Sequence, residues 1–144
     1  MTNIRLMSWA LLGTIFLSAC GTTQPKGELL SSSPVQQKPS SPAEQKLALG
    51  IARYDNGDFT LSAADFREAL RLGLSRKQDQ VVAHKYLAFI HCVSRREKLC
   101  RDEFRKALKI DPAFKLEPAE AGHPIWGPIF LREKSRYGRE TPPR

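Results

Sequence analysis

Cysteine and histidine are scarce in this chain, with three of each among 144 residues. None falls at zinc-ligand spacing, and no Ser/His/Asp order or poised carboxylate pair accompanies them, so the residues point away from a dedicated enzyme and from a metal site. Acidic residues are short as well. Fifteen Asp and Glu face 23 Lys and Arg, a net charge of +8, with a pI near 9.7. That balance favours acidic partners without choosing between nucleic acid, anionic lipid and acidic protein. No segment alternates convincingly as a strand would, and only one long apolar run exists, at the N-terminus. What is present suffices for a fold: 41% hydrophobic and 26% charged residues can build one compact domain at this length. The composition is that of a small binding or scaffolding module.

The apolar run follows a short start carrying one charge, Arg5, and covers Leu6 to Ala19. Its 14 residues would make roughly 21 Å of helix, short of the ~30 Å hydrocarbon core. A signal peptide over residues 1–19 fits better than a permanent span. The run closes in Leu17-Ser18-Ala19-Cys20-Gly21, which resembles the bacterial lipobox. The resemblance implies cleavage before Cys20, a diacylglycerol on its thiol and an acyl group on its new amine. This covalent N-acyl diacylglycerol is the one non-protein group expected, with no other cofactor and no metal. Several acyl chains give the multiple signals that stable attachment needs. Gly21 differs from the Asp associated with inner-membrane retention, so the lipobox implies the outer membrane, with the domain facing the periplasm. Losing residues 1–19 removes one Arg and no acid, leaving the mature chain at +7. Export makes nucleic acid an unsuitable partner despite the basic pI.

Residues 20–42, the acylated Cys and a stretch rich in Ser, Pro, Gln and Gly, offer too little apolar surface to fold and read as a disordered tether. A flexible coil of 22 residues after the Cys has a root-mean-square reach of about 25 Å. Helical periodicity starts at Ala43. Helices are predicted over about 43–55, 60–73, 80–94 and 98–110, broken at Asn56-Gly57-Asp58, Gly73 and Asp111-Pro112. The fold class is all-α: two helical hairpins and a C-terminal cap.

Phe66-Arg-Glu-Ala-Leu returns as Phe104-Arg-Lys-Ala-Leu, 38 residues later. The hairpins resemble the tetratricopeptide repeat, whose unit is 34 residues. Units at 43–76 and 81–114 place Leu49-Gly50, Gly57-Asp58-Phe59, Phe66, Ala69-Leu70 and then Leu87-Ala88, Cys100, Phe104, Ala107-Leu108, Asp111-Pro112 on its signature positions. Lys77-Gln-Asp-Gln80 is then a four-residue insertion. Three departures stand out: Ser62 replaces a small apolar residue, neither unit has the early Trp, and Arg95-Arg96-Glu97 replaces Gly-Asp-aromatic at the second turn.

Cys92 and Cys100 flank that second turn. With Cys20 acylated they are an even pair in an oxidising compartment. We expect a disulfide worth roughly 2–3 kcal/mol, against the alternative of two buried thiols. Two repeats need a cap, and residues 115–137 supply one, with Pro128 opening a last helix over 128–137, Gly127 as its N-cap and 138–144 as a frayed tail. The repeat resemblance implies a peptide groove along the first helix of each unit, lined by Leu47, Ile51, Tyr54, Val82, Lys85 and Phe89, unless neighbouring elements cover it. A basic face of Arg95, Arg96, Lys98, Arg101, Arg105, Lys106 and Lys109 could dock acidic protein or phospholipid, or simply be solvated. The segment holding Gly122, His123, Pro124, Trp126, Gly127 and Pro128 specifies one rigid turn, with His123 able to titrate, ligate or cap.

Lipobox, linker, two repeats and the run Asp111 to Phe130 together resemble the TssQ-type lipoproteins associated with bacterial type VI secretion. That resemblance implies a non-enzymatic accessory scaffold in the periplasm whose partners are envelope proteins or peptide segments, possible secretion-apparatus components among them. Two other roles fit the same features: a pilotin or assembly lipoprotein for another outer-membrane machine, and a lipoprotein activator of a cell-wall enzyme.

Overall fold

The computed structural model describes residues 41–140, and the expected signal peptide, the acylated Cys20 and most of the tether lie outside the described residues. The described chain is all-α: α1 Pro42–Asp55, α2 Phe59–Leu72, α3 Lys77–Val93, α4 Glu97–Ile110, the single turn α5 Pro118–Ala121, and α6 Trp126–Glu140. Among these residues there is no strand. The tether boundary shifts slightly, because Ser41 and Pro42 already belong to the start of α1. The Ser41 hydroxyl accepts from the Glu44 amide while the Glu44 carboxylate accepts from the Ser41 amide, a capping box that satisfies two otherwise orphaned donors.

The first hairpin packs α1 against α2 through small residues. Gly50 lies under the ring of Phe66 so closely that a Cβ would come within 2.8 Å of it. The Ser62 hydroxyl donates to the Gly50 carbonyl at 2.8 Å, fully buried. The second hairpin, α3 with α4, repeats the first at the backbone. In the first turn the Asp58 amide donates to the Arg53 carbonyl at 2.8 Å; in the second, the Arg96 amide donates to the His91 carbonyl at 2.8 Å. Gly57 takes φ +82° in the first turn, and Arg95 takes φ +58° in the equivalent place. The Arg95-Arg96-Glu97 departure thus leaves the turn geometry intact, at the steric cost of a side chain in the left-handed region. The disulfide Cys92–Cys100 spans this turn with its Cα atoms 5.1 Å apart.

The apparent insertion 77–80 is helical. It forms the first turn of α3, so that helix starts three residues before the predicted position 80. Arg76 is extended and clasps Asp79 through two hydrogen bonds of 2.8 and 2.9 Å, and the Gln80 side-chain Nε2 donates to the Leu74 carbonyl. Four added residues are close to one helical turn, which leaves the inward face of the helix nearly in register.

After Asp111-Pro112 the chain turns back, and α6 then runs in the same direction as α4. Phe104 meets Phe130, Arg105 meets Glu133, and Lys109 shares a small cavity with Tyr137 and Glu140 further along. The Lys134 ammonium donates to the Phe114 carbonyl, pinning the returning segment to α6. α6 also exceeds the predicted 128–137, starting at Trp126 and continuing through Gly138 to Glu140; positions 141–144 of the expected tail lie outside the described residues. Gly127 is therefore inside the first turn and is not an N-cap.

Two apolar clusters result. Leu47, Phe66, Ala69, Leu74, Leu87 and Ile90 hold the first hairpin to α3. Phe89, Cys100, Phe104, Leu108, Trp126 and Phe130 hold the second hairpin to the cap. Tyr54 and Tyr86 pack against both.

Candidate interaction surfaces

The six residues expected along the first-helix face separate into two groups. Leu47 and Phe89 are core residues, 7% and 2% exposed. The Phe89 ring stacks on Trp126 with centroids 4.3 Å apart, so the cap covers it and it cannot line a groove. Ile51, Tyr54, Val82 and Lys85 stay half-buried. Tyr54 and Tyr86 meet edge to face at 4.8 Å, an aromatic contact that the sequence pattern missed because Tyr86 lies one position beyond Lys85. Burial pushes the Tyr54 hydroxyl up to about 12, helped by Tyr86, Glu120 and Asp55. Burial raises Tyr86 too. Both phenols therefore stay neutral and can donate hydrogen bonds at any physiological pH.

Lys85 lies with its ammonium 4.9 Å from the centre of the Tyr86 ring, and the Glu120 carboxylate pairs with it. The pair links α5 to α3 through these two side chains. Beside it opens a cleft of about 650 Å³ between the first half of α3 and residues 110–120. Val81, Val82, Ile110 and Phe114 give the cleft apolar walls, while Lys77, Lys115, Glu117 and Glu120 supply charge of both signs. Of the predicted groove residues, Val82 and Lys85 line this space; the α1 residues do not. The returning segment between α4 and α6 moved the opening, and no periodicity along the helices foretells where such a segment lies.

The basic run of α4 also divides. Arg95, Arg96 and Lys98 are exposed around the head of the helix, and Lys109 near its end. Arg101 pairs with Glu97 at 2.8 Å, and Arg105 with Glu133 at 2.6 Å. Lys106 leaves this face and pairs with Glu103, which the His84 ring also holds, at 2.6 Å. Burial disfavours the Glu103 carboxylate, but the hydrogen bonds and charges of His84 and Lys106 outweigh it and lower its pKa. The α6 residues Arg132, Arg136 and Arg139 border the same channel as Arg101 and Arg105. Their spacing over two turns places them on one face, a signal present in the sequence but divided there between the cap (Arg132, Arg136) and the frayed tail (Arg139).

The turn before α6 is fixed at several points. The His123 ring stacks on Trp126 at 3.3 Å, and its Nδ1 accepts from the Ile125 amide. The Trp126 indole donates to the Glu120 carbonyl at 2.8 Å. A Cβ on Gly127 would collide with the Ala121 carbonyl. Pro124 and Pro128 are exposed, and Gly122 ends α5. His123 acts here as a stacking and hydrogen-bonding partner. Among the described residues no group of three His, Cys, Asp or Glu side chains is placed to hold a metal ion. No described helix is long and apolar enough to cross a membrane.

No family model, curated protein or solved structure matches this chain. The surfaces above therefore stand on their own chemistry. The cleft beside α3 offers apolar walls, neutral phenols nearby and charges of both signs, which suits a peptide segment better than a small polar metabolite.

Proposed function

We propose that this protein is a non-enzymatic interaction module, anchored through acylated Cys20 to the periplasmic side of a bacterial outer membrane and accessory to a type VI secretion apparatus. The observation that carries the interaction role is the cleft of about 650 Å³ between α3 and residues 110–120. Its Val82 and Phe114 walls can bury apolar side chains of a segment from an envelope protein. Lys77 and Lys115 on one hand, and Glu117 and Glu120 on the other, can pair with that segment's charges and fix its direction. The anchor rests on the lipobox-like Leu17 to Gly21, and the apparatus on the resemblance of Asp111 to Phe130 to the TssQ-type lipoproteins.

In-cell photo-crosslinking from Gln78, an exposed residue on the cleft rim, tests the reading. Recovery of type VI secretion components from the envelope fraction is the expected result. Recovery of a cell-wall hydrolase or a different outer-membrane machine in their place would assign the module to that system.

A further inference from the structure

We propose that the channel between α4 and α6 docks the domain onto a membrane, its arginines taking the phosphates of anionic phospholipids. The channel has a volume of about 720 Å³. Because α4 and α6 run the same way, Arg101 and Arg105 form one row along it and Arg132, Arg136 and Arg139 a second. Glu97 and Glu133 hold the two α4 guanidiniums in place. The three α6 arginines have no ion-pair partner among the described residues, so their charge is available to a ligand. Five arginines against two glutamates leave the lining cationic. A guanidinium presents a planar fork that matches two phosphate oxygens, which a lysine cannot do. Leu131, 57% exposed and on the channel wall, can enter the boundary between head groups and acyl chains. Arg95, Arg96 and Lys98 extend the positive surface beyond the head of α4.

Lipid suits this surface better than an acidic protein segment. Glu97 and Glu133 lie inside the channel and would oppose carboxylates fixed along a rigid partner, whereas mobile head groups distribute around them. Proximity comes from the anchor proposed above, and in that respect the inference rests on that reading. Cys20 precedes Ser41 by 21 residues, at most roughly 70 Å of chain, so a modest intrinsic affinity is multiplied by a high effective concentration. Docking in this way would orient the domain on the bilayer surface.

The test uses the full chain, extracted from producing membranes and reconstituted into vesicles of phosphatidylcholine alone or with phosphatidylglycerol. A Ser135→Cys variant carries a fluorophore in the channel, Cys92 and Cys100 being tied to each other. Head-group nitroxide lipids then quench a docked fluorophore. Mass spectrometry of the same sample reads the acyl groups: a free Cys20 thiol would sink the anchor reading alone, and flotation with phosphatidylglycerol vesicles would still read the channel. The expected result is quenching only with phosphatidylglycerol, reversed by high salt. The triple variant Arg132→Gln, Arg136→Gln, Arg139→Gln should lower the docked-to-free ratio on the order of 100-fold, with circular dichroism confirming its fold. Equal quenching in both vesicles, or none lost in the triple variant, would overturn the proposal. So would a soluble poly-glutamate peptide binding the channel while phosphatidylglycerol vesicles do not, which would give the surface to acidic protein.

Discussion

Two glycines of α6 illustrate how position decides the effect of a single methyl group. At Gly127 a Cβ has no room, because the Ala121 carbonyl occupies the place it would take and belongs to the backbone of α5. At Gly138 nothing lies within 4 Å. Gly127→Ala should therefore destabilise the domain by about 1–3 kcal/mol, while Gly138→Ala should stabilise it by about 0.4–1 kcal/mol through unfolded-state entropy. Urea denaturation of the two variants measures both signs. His91 supplies a second residue-scale prediction. It is buried, its Nδ1 lacks a hydrogen-bond partner among the described residues, and burial followed by the Arg96 charge lowers its pKa from 6.5. The folded state resists protonating it, so above pH 6.5 it imposes no penalty. As pH falls below 6.5 the unfolded chain gains the proton first and stability declines. Glu103 adds a later loss: its lowered pKa contributes stability that is complete above its ordinary 4.5 and disappears as pH falls through its folded value. Stability measured from pH 8 down to about 2 should show both phases, and His91→Leu should remove the upper one alone.

At the scale of elements, the two hairpins achieve one backbone geometry by different side-chain means. The first closes with Gly57 at positive φ and a Ser62 hydrogen bond across to Gly50. The second has Arg95 at positive φ and, at the position equivalent to Ser62, Cys100 bonded to Cys92. The disulfide stands where the second turn lacks its glycine. Reduction, or Cys92→Ser with Cys100→Ser, should cost roughly 2–3 kcal/mol on chain-entropy grounds. Adding Arg95→Gly to the reduced protein should restore part of it, and thermal denaturation of the single and combined forms checks the order. This turn was only partly legible in the sequence. An even cysteine pair flanking the turn raised a cross-link beside the alternative of two buried thiols, and the substitution of Arg-Arg for Gly-Asp hid the fact that the backbone repeats. Helix boundaries were legible to within about three residues. The largest shifts, three residues each, are at the start of α3 and the end of α6; the first arises because Arg76 and Asp79 clasp each other and draw polar residues 77–80 into the helix.

For the molecule as a whole, a two-hairpin stack leaves its last face bare unless a cap covers it. Residues 113–140 do so, and the stacking of Trp126 on Phe89 shows the cost of losing them. Phe89→Ala, at first sight a probe of a binding groove, should instead unseat the cap and cost about 3–5 kcal/mol. Its denaturation midpoint should fall far below that of Tyr54→Ala, whose side chain is only half-buried. A binding defect in a Phe89 variant would then report lost structure, whereas one from Lys115→Glu, on the exposed wall of the cleft, would report lost recognition.

The sequence by itself determined the all-α class, the two hairpins and the need for a cap, while it left Cys92 and Cys100 between a disulfide and two buried thiols. The first three follow from period, breakers and pairing between residues near in the chain, where local sterics and amphipathicity act. Only the tertiary structure decided that α6 lies parallel to α4. That single choice buries Phe89, shifts the open cleft from the α1 face to the return segment, and brings Arg132, Arg136 and Arg139 beside Arg101 and Arg105. Direction of packing depends on how distant side chains interlock, here Phe104 with Phe130 and Arg105 with Glu133. Such complementarity is a property of assembled surfaces, and no local stretch of sequence carries it.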